Sequence, residues 1–255
     1  MPRYDFSAPR LFVAAPLTAG EEISLDKDQS NYLLNVLRLA DGATVLAFNG
    51  RDGEWVMRLH ALSRKALALR AETLSRAQTP AGDLHYLFAP LKHARLDYMV
   101  QKAVEMGVSR ITPVMTHRTQ ATRVNLDRMR ANAIEAAEQC GVLGLPDISD
   151  VIRLDKLLAG WPKERRLIFC DEEAEVADPV KALQAMAPGP LAVVIGPEGG
   201  FDPQERAALM RLPLVTRLSL GPRILRADTA AVAALALTQA VAGDWRPAEL
   251  LLQHV

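Results

Sequence analysis

The chain has 255 residues, of which 49% are hydrophobic and 24% are charged, and this composition excludes a disordered or low-complexity protein. Its 30 basic and 30 acidic residues balance, which excludes a polycation held to nucleic acid by bulk charge. Two cysteines, Cys140 and Cys170, are too few for a disulfide framework or a four-cysteine metal site, and we expect both to be ordinary buried thiols. The histidines lack metal-ligand spacing, so no metal is expected.

No targeting or membrane segment is predicted. The N-terminus lacks the apolar core of a signal peptide. The most apolar stretch, residues 230–242, is interrupted by Thr238 and Gln239 and is too short to span a bilayer. We therefore expect a cytoplasmic protein that does not contact a membrane.

Residues 1–75 are predicted to form a small β-barrel with one helix. A short apolar run covers residues 11–15, and apolar and polar positions partly alternate over residues 44–48, 54–62 and 66–74. Asn49-Gly50 and Asp52-Gly53 tolerate the positive φ values that a hairpin turn requires. The helix is predicted over residues 28–39, with Arg38 near its end, where a cation interacts favourably with the helix dipole.

Residues 76–83 are polar and contain Pro80 and Gly82, which makes them the predicted linker. Strands and helices then alternate over residues 84–255. Strands are predicted over residues 84–89, 111–115, 167–170 and 191–195, and helices over residues 94–106, 125–139, 179–186, 203–210 and 229–241. This alternation predicts an α/β domain with a mostly parallel sheet covered by helices on both faces. Ligands bind such sheets beyond the carboxyl ends of the strands.

Charge is unevenly distributed within this second region. Residues 84–130 contain clearly more basic than acidic residues, and residues 131–190 show the reverse. The basic stretch is compatible with a phosphate-binding surface. It is equally compatible with a solvated helix face beside an acidic one.

A glycine-rich loop follows the strand at residues 191–195 and leads into a helix. Asp202 is the predicted N-cap, and Glu205 completes a capping box with it. Because Glu198, Asp202 and Glu205 surround the helix N-terminus, a phosphate is disfavoured there, and a neutral or cationic ligand held by backbone groups is favoured. A tight turn without any ligand is the alternative.

A second loop, residues 218–230, also connects a strand to a helix. Arg223 and Arg226 lie three residues apart, and two arginines suit a phosphate or a developing negative charge on a substrate. Asp228 or Thr229 is expected to cap the following helix. The alternative interpretation is that Arg226 pairs with Asp228 and only stabilises the turn.

Both loops carry motifs that resemble those of a known family. Gly196-Pro-Glu-Gly-Gly-Phe201 and Leu218-Ser-Leu-Gly-Pro-Arg-Ile-Leu-Arg226 are similar to the two C-terminal signatures of the ribosomal RNA small subunit methyltransferase E family, in the SPOUT superfamily. Arg95-Leu-Asp-Tyr-Met-Val-Gln-Lys-Ala-Val-Glu-Met-Gly-Val108, Glu135-Ala-Ala-Glu-Gln-Cys-Gly141 and Tyr32-Leu-Leu-Asn-Val-Leu-Arg38 resemble further family segments. The resemblance therefore covers nearly the whole chain.

This resemblance implies a PUA-like RNA-binding barrel over residues 1–75 and a SPOUT domain with a trefoil knot over residues 84–255. It also implies a homodimer and S-adenosylmethionine as the cofactor. The implied reaction is methylation of N3 of a specific uridine in 16S rRNA, in the decoding region of the small ribosomal subunit. Another SPOUT activity, on a ribose 2′-oxygen or a tRNA base, and a non-catalytic ribosome-assembly RNA binder are the alternatives.

The resemblance also assigns site residues by position. The cofactor-binding residues would be Phe169, Ile195, Gly196, Gly200, Leu220, Gly221 and Leu225, with residues 169–172 forming one wall. Arg226 and Arg223 would stabilise negative charge on the uracil, and Asp228 would orient the guanidinium or accept the N3 proton. Candidates for binding RNA phosphates are Arg38, Lys92, Arg95 and Lys102.

Overall fold

The structure is a computed structural model that describes residues 8–245 except Ala81, His93, Thr122 and Val176. Its contacts divide the chain into two compact units. The first contains residues 1–80 and 137–144, and the second contains residues 81–136 and 145–255. No helix in the described ranges is long and apolar enough to cross a membrane. Those ranges also contain no group of three or more His, Cys, Asp or Glu side chains that could hold a metal ion.

The first unit is built on a five-stranded sheet with the order β1-β3-β4-β5-β2. Its strands are β1 (Arg10–Phe12), β2 (Glu22–Ser24), β3 (Thr44–Phe48), β4 (Glu54–Ala61) and β5 (Leu67–Arg76). Gly50 and Gly53 have φ values of +79° and +80° in the connection between β3 and β4, which pair antiparallel. The predicted hairpin is therefore confirmed, and β5 continues to Arg76, the first residue of the predicted linker.

The helix predicted over residues 28–39 is only partly right. Helix α1 (Lys27–Asn31) begins after Asp26, whose carboxylate accepts from the Gln29 backbone N–H while the Gln29 side chain accepts in return. A π-helical turn, Tyr32–Val36, follows. Arg38 then has a φ of +54°, a left-handed conformation that cannot continue a right-handed helix. Arg38 thus lies beyond the helix and not in its last turn.

The core of the first unit forms where these strands and the π-helical turn pack together. The buried apolar residues are Leu11, Val13, Leu17, Leu33, Val45, Ala47, Met57, Leu59, Leu67, Leu69 and Ala71. Leu33 of the π-helical turn is fully buried in this core, which explains why the segment is held against the sheet.

The second unit contains a parallel sheet with the order β12-β10-β11-β6-β7-β8, and β9 also pairs with β7. The strands are β6 (Leu84–Phe88), β7 (Arg110–Met115), β8 (Asp147–Ile148), β9 (Ile152–Arg153), β10 (Arg166–Cys170), β11 (Leu191–Ile195) and β12 (Val215–Leu218). Every pairing is parallel, which confirms the predicted α/β architecture. All five residues of β11 are buried, as expected for a strand covered on both faces.

The helices of this part of the chain are α2 (Ala94–Glu105), α3 (Leu126–Cys140), α4 (Leu154–Ala159), α5 (Pro179–Gln184), α6 (Pro203–Met210) and α7 (Ala227–Ala242). The last four residues of α3 belong to the first unit. Leu154 of α4 and Leu209 of α6 pack against Leu167 and Val194, whereas α7 packs on β11 and between α2 and α5. One face of α7 is therefore buried, through Ala227, Ala231, Ala234, Leu235, Thr238 and Gln239. Cys140 at the end of α3 is exposed, so its predicted burial is wrong.

Candidate functional site

Four loops emerge at one edge of the parallel sheet in the second unit. The strand register aligns Ile195 at the end of β11 with Phe88 of β6, and Cys170 at the end of β10 with Leu218 of β12, and β10 and β11 are themselves paired. Because all four strands are parallel, the chain leaves each of them at the same carboxyl edge. The two loops singled out from the sequence are therefore brought together with the ends of β6 and β10.

The loop after β11 is tightly folded against the end of β10. A Cβ atom on Gly196 would lie 2.6 Å from the ring of Phe201, and that ring packs edge-on against Phe169 with 5.3 Å between centroids. Gly200 has a φ of +69°, and a Cβ there would lie 1.9 Å from the Glu172 carboxylate. Only glycine satisfies both constraints at Gly200. Three predicted cofactor residues, Phe169, Gly196 and Gly200, are thus assembled at one place.

The N-terminus of α6 is closed by its own carboxylates. The Asp202 carboxylate accepts from the Gln204 backbone N–H at 2.8 Å, and Glu205 Oε2 accepts from the Asp202 N–H at 3.1 Å. Glu205 Oε1 accepts from the His117 N–H at 2.7 Å. The predicted capping box is confirmed, and an anion at this helix end would face two carboxylates.

The loop after β12 has the opposite character, because its backbone is not paired with other described residues. The backbone N–H and C=O groups of residues 220–225 make no hydrogen bond to any other described residue. Gly221 has a φ of +96°, and no atom lies within 4 Å of the position where a Cβ would be. Leu220 and Leu225 are half-buried. This segment offers backbone donors and acceptors beside open space, which suits a ligand with its own hydrogen-bonding groups.

Arg223 and Arg226 are exposed at the end of this loop, and neither forms an ion pair with another described residue. Arg226 is the residue before α7, and no side chain caps this helix. Asp228 lies within the first turn, where its Oδ1 accepts from the Thr229 N–H at 2.8 Å. The prediction that Asp228 or Thr229 is the N-cap is therefore wrong, because α7 begins at Ala227.

Asp228 is directed toward α2 and not toward the arginines of its own loop. Its Oδ2 atom lies 3.9 Å from Nε of Arg95, and Arg95 Nη1 donates to Oε1 of Glu198. No described contact joins Asp228 to Arg226, so the alternative in which this pair only stabilises the turn is not the arrangement observed. Arg95 instead connects the first turn of α2 to both functional loops.

A cleft of about 470 Å³ opens beside Arg95. It is lined by Pro90, Leu91, Lys92, Ala94, Arg95, Arg118, Gln120, Ala121, Pro197 and Glu198. Arg118 is a residue that the sequence prediction missed, and its Nη1 donates to the Gly199 carbonyl at 2.7 Å. The sequence feature that could have indicated Arg118 is its position: it lies three residues after the end of β7, and therefore at the same carboxyl edge of the sheet.

Two predicted RNA-binding residues are not part of this edge. Lys102 lies seven residues after Arg95 on α2, which is about 10 Å further along the helix axis. Its Nζ donates to Glu105 at 2.6 Å and lies 5.5 Å from the centroid of the Tyr98 ring. Arg38 belongs to the first unit, where its side chain is exposed. Lys92 and Arg95 are the two candidates located at the edge.

Asp171, directly after β10 and within the wall of residues 169–172 that the resemblance implied, holds this edge together, a role that the sequence did not indicate. Its carboxylate accepts from Arg206 Nη2 at 3.0 Å and from Arg217 Nε at 2.8 Å, which connects the end of β10 to α6 and β12. Burial raises the pKa of Asp171, but hydrogen bonds from Arg206, the Glu173 backbone and Arg217 outweigh it, and the net pKa lies below the ordinary value. Asp171 therefore remains a carboxylate and fixes two of the loop-bearing strands.

The Tyr86 hydroxyl lies buried in the middle of the sheet with no hydrogen-bond partner among the described residues. Burial, and then the negative charge of Asp228, raise the pKa of Tyr86 well above its ordinary value. Burial also raises the pKa of the Cys170 thiol to about 12, so this cysteine is not a thiolate nucleophile. Neither group is ionised near neutral pH.

Comparison with models of known protein families identifies the class of protein to which this chain belongs. Residues 77–239 match the model of the RNA methyltransferase domain, and residues 25–72 match that of the RNA methyltransferase PUA domain. The first match covers more than half of the chain. The protein is therefore an RNA methyltransferase by family, and its N-terminal sheet is PUA-like.

Individual relatives show which RNA methyltransferase family the chain belongs to. The chain is 28% identical to the ribosomal RNA small subunit methyltransferase E of Rickettsia conorii over 89% of this chain and 93% of the relative. It is 30% identical to the Mycobacterium bovis protein of the same name over 69% and 71% of the two chains. The solved structure of this enzyme from Neisseria gonorrhoeae, bound to S-adenosyl methionine, is 26% identical with a TM-score of 0.82, and the match covers 94% of this chain and 100% of that one. The chain belongs to the ribosomal RNA small subunit methyltransferase E family.

Proposed function

We propose that this protein transfers a methyl group from S-adenosylmethionine to N3 of one uridine in 16S rRNA, in the decoding region of the small ribosomal subunit. The observation that carries the proposal is the assembly of three loops, after β10, β11 and β12, at one sheet edge beside two arginines that pair with no acidic group in the described part of the chain. Family membership and the bound S-adenosyl methionine in the Neisseria gonorrhoeae structure support the choice of methyl donor.

The residues at this edge fit S-adenosylmethionine. Its adenosine is neutral, which suits the backbone groups of residues 220–225 that are not paired with other described residues. Its sulfonium is cationic, which suits an edge that carries Glu172 and Glu198. The close packing of Gly196 and Gly200 lets the backbone approach a ligand. The residues that hold it are Phe169, Ile195, Gly196, Gly200, Leu220, Gly221 and Leu225. When bound, it supplies a methyl group whose bond to sulfur breaks as the new N3–C bond forms.

The catalytic work of the protein is to place N3 and to stabilise charge. Uracil N3 carries a proton at neutral pH, and when that proton leaves, negative charge spreads onto O2 and O4. Arg226, with Arg223, donates hydrogen bonds to these oxygens or to the adjacent phosphate. Asp228 orients Arg95, which it faces at 3.9 Å, or accepts the N3 proton. Positioning the base against the methyl donor supplies the remaining rate enhancement.

Recognition of the substrate uses surfaces outside this centre. N3 lies within the Watson–Crick edge, so the target uridine must be unpaired or extruded from its helix. Arg38 in the PUA-like unit and Lys92, Arg95 and Lys102 in the second unit bind RNA phosphates. Because the chain has no net charge, we expect recognition of folded RNA by shape, and activity on assembled small subunits rather than on a short oligonucleotide.

Family membership also supports our proposals about the domains, the oligomeric state and the cellular location of the protein. Residues 1–75 act as the RNA-binding barrel, residues 76–83 as the linker and residues 84–255 as the methyltransferase domain, whose C-terminal segment forms a trefoil knot. The enzyme acts as a homodimer in the cytoplasm, where its ribosomal substrate is located. Light scattering of the purified protein measures the oligomeric state, and a monomeric mass would contradict the dimer.

The decisive experiment replaces Arg226. We expect Arg226→Ala to lower the turnover of small-subunit RNA by about 10²–10³-fold, because one donor to developing charge is lost. The dissociation constant for S-adenosylmethionine, measured by calorimetry, should stay unchanged. Arg211→Ala removes another exposed arginine, at the far end of α6, and is the matched control.

Mass spectrometry of the nucleosides then identifies the product. The expected product is 3-methyluridine. A methylated ribose or a methylated tRNA base would replace the proposed target with another one. Undiminished methylation by Arg226→Ala would refute the role of Arg226, and the absence of S-adenosylmethionine binding would favour a non-catalytic RNA binder.

A further inference from the structure

Some basic residues of the second unit form ion pairs, and others do not. On α3, Arg128 pairs with Asp97 at 2.6 Å and Arg130 pairs with Asp127 at 2.9 Å. Lys92 and Arg123, on loops at the carboxyl edge, are exposed and have no ion pair with any residue in the described ranges. Lys92 and Arg123 thus place two exposed cations without a described ion pair at the carboxyl edge of the sheet.

A continuous groove connects these cations to the proposed methyl-transfer centre. The cleft of about 470 Å³ beside Pro197 and Glu198 shares four residues with a second cavity of about 940 Å³. The shared residues are Leu91, Lys92, Gln120 and Ala121. The second cavity extends past Arg123 to the first turn of α3. The groove therefore leads from the loop after β11 along Arg118, Gln120, Ala121 and Arg123.

Arg118 joins this groove directly to the cofactor loop. One N–H of its guanidinium donates to the Gly199 carbonyl, and the methylene groups of its side chain lie 3.7–3.8 Å from the Cβ position of that glycine. A guanidinium has five N–H donors, so the remaining ones are free to bind a second group. A phosphate bound to Arg118 would therefore be held at a fixed position relative to the loop that contacts the methyl donor.

We propose that this groove binds the single-stranded RNA that flanks the target uridine, with Arg118 and Arg123 binding phosphates and Lys92 between them adding charge. The inference rests on the proposed function, because it takes RNA as the substrate. A polyanionic strand matches the cations Lys92, Arg118 and Arg123 that line the groove, and fixed phosphates set the register of the target base without reading sequence. The Gln120 amide, which lines both cavities, is able to contact a base edge.

The test measures RNA affinity as a function of salt. The full-length protein is titrated with a fluorescently labelled 16S rRNA fragment in which the target uridine is unpaired, at several salt concentrations. We expect Arg118→Ala and Arg123→Ala each to lower the slope of log K against log salt by about one, and the double variant by about two. With small ribosomal subunits as the substrate, Arg123→Ala should keep kcat while its KM rises, and the KM of the double variant should rise at least tenfold.

Two further variants control the interpretation. Arg211→Ala should leave the salt slope unchanged, and Arg118→Lys should keep it because the charge remains. An unchanged slope and KM in the double variant would overturn the groove proposal even if the wild-type protein methylates RNA normally. If the wild-type protein fails to methylate but the double variant loses the salt slope, the groove is supported and the proposed reaction is wrong.

Discussion

Each unit of the protein contains one buried carboxylate held by two arginines, and the two clusters differ in their surroundings. In the first unit, Glu54 is 1% exposed and accepts from Arg10 Nε at 2.8 Å and from Arg76 Nη2 at 2.8 Å. In the second unit, Asp171 is 3% exposed and accepts from Arg206 and Arg217. Arg10 is 4% exposed, whereas Arg206 and Arg217 are 28% and 32% exposed.

This difference separates a structural cluster from one that supports a site. Arg10 also donates to the backbone carbonyls of Ala137 and Glu138, so the Glu54 cluster connects the first strand to a segment 127 residues later within the same unit. Asp171 lies next to Glu172, which contacts the position of Gly200 in the proposed cofactor loop. Loss of the first cluster should therefore affect stability, and loss of the second should also affect ligand binding.

Glu54→Ala gives the largest expected effect. Removing the carboxylate takes the Glu54 ion pairs away from the buried Arg10 and the half-buried Arg76, so the free energy of unfolding should fall by about 3–5 kcal/mol. Urea unfolding followed by circular dichroism measures this change. Glu72→Ala, which breaks the exposed pair with Arg58, is the matched control and should change stability little.

The pH dependence of stability checks the same cluster. Burial raises the pKa of Glu54, but hydrogen bonds from Arg76 and Arg10 outweigh it and lower the net pKa below the ordinary 4.5. A lowered pKa in the folded state contributes stability above the pKa of the unfolded state, and this contribution is lost as pH falls through the folded-state pKa. The wild-type protein should thus lose stability below about pH 4.5 more steeply than Glu54→Ala. Parallel pH profiles would contradict the assignment.

Asp171→Asn should have a smaller effect on stability and a distinct effect on binding. The amide keeps the shape of the side chain but loses the charge that holds Arg206 and Arg217, at a cost of about 1–3 kcal/mol. If the end of β10 is less well held and the binding free energy of S-adenosylmethionine weakens by about 1.4 kcal/mol, its Kd rises about tenfold. Calorimetry measures this Kd, with Asp155→Asn in the exposed Arg153 pair as the control. Unchanged affinity would show that Asp171 stabilises only the fold.

The sequence predicted those features that depend on neighbouring residues. The limits of β11 and α6 and the capping box at Asp202 are confirmed because a buried strand, a proline and two carboxylates lie within a few residues of each other. The pairing of Arg95 with Glu198, 103 residues apart, depends on strand order, which local patterns do not encode. The same reason explains why Arg118 was missed. The two-residue strands β8 and β9 and the short helix α4 are too brief to produce a periodic signal.

Tyr86→Phe should change the free energy of unfolding least, and the sign of this change shows whether the Tyr86 hydroxyl is hydrogen-bonded. The Glu54 and Asp171 carboxylates have full sets of donors, whereas the Tyr86 hydroxyl is buried without a described partner. Removing an unsatisfied hydroxyl while keeping the ring, which stacks on Phe88 at 5.2 Å, should leave the free energy of unfolding unchanged or raise it by about 1 kcal/mol. Urea unfolding of the two proteins in parallel measures the difference. A loss of more than about 1 kcal/mol would mean that the hydroxyl is hydrogen-bonded in solution, and Asp228, whose charge acts on it, would be the first partner to test.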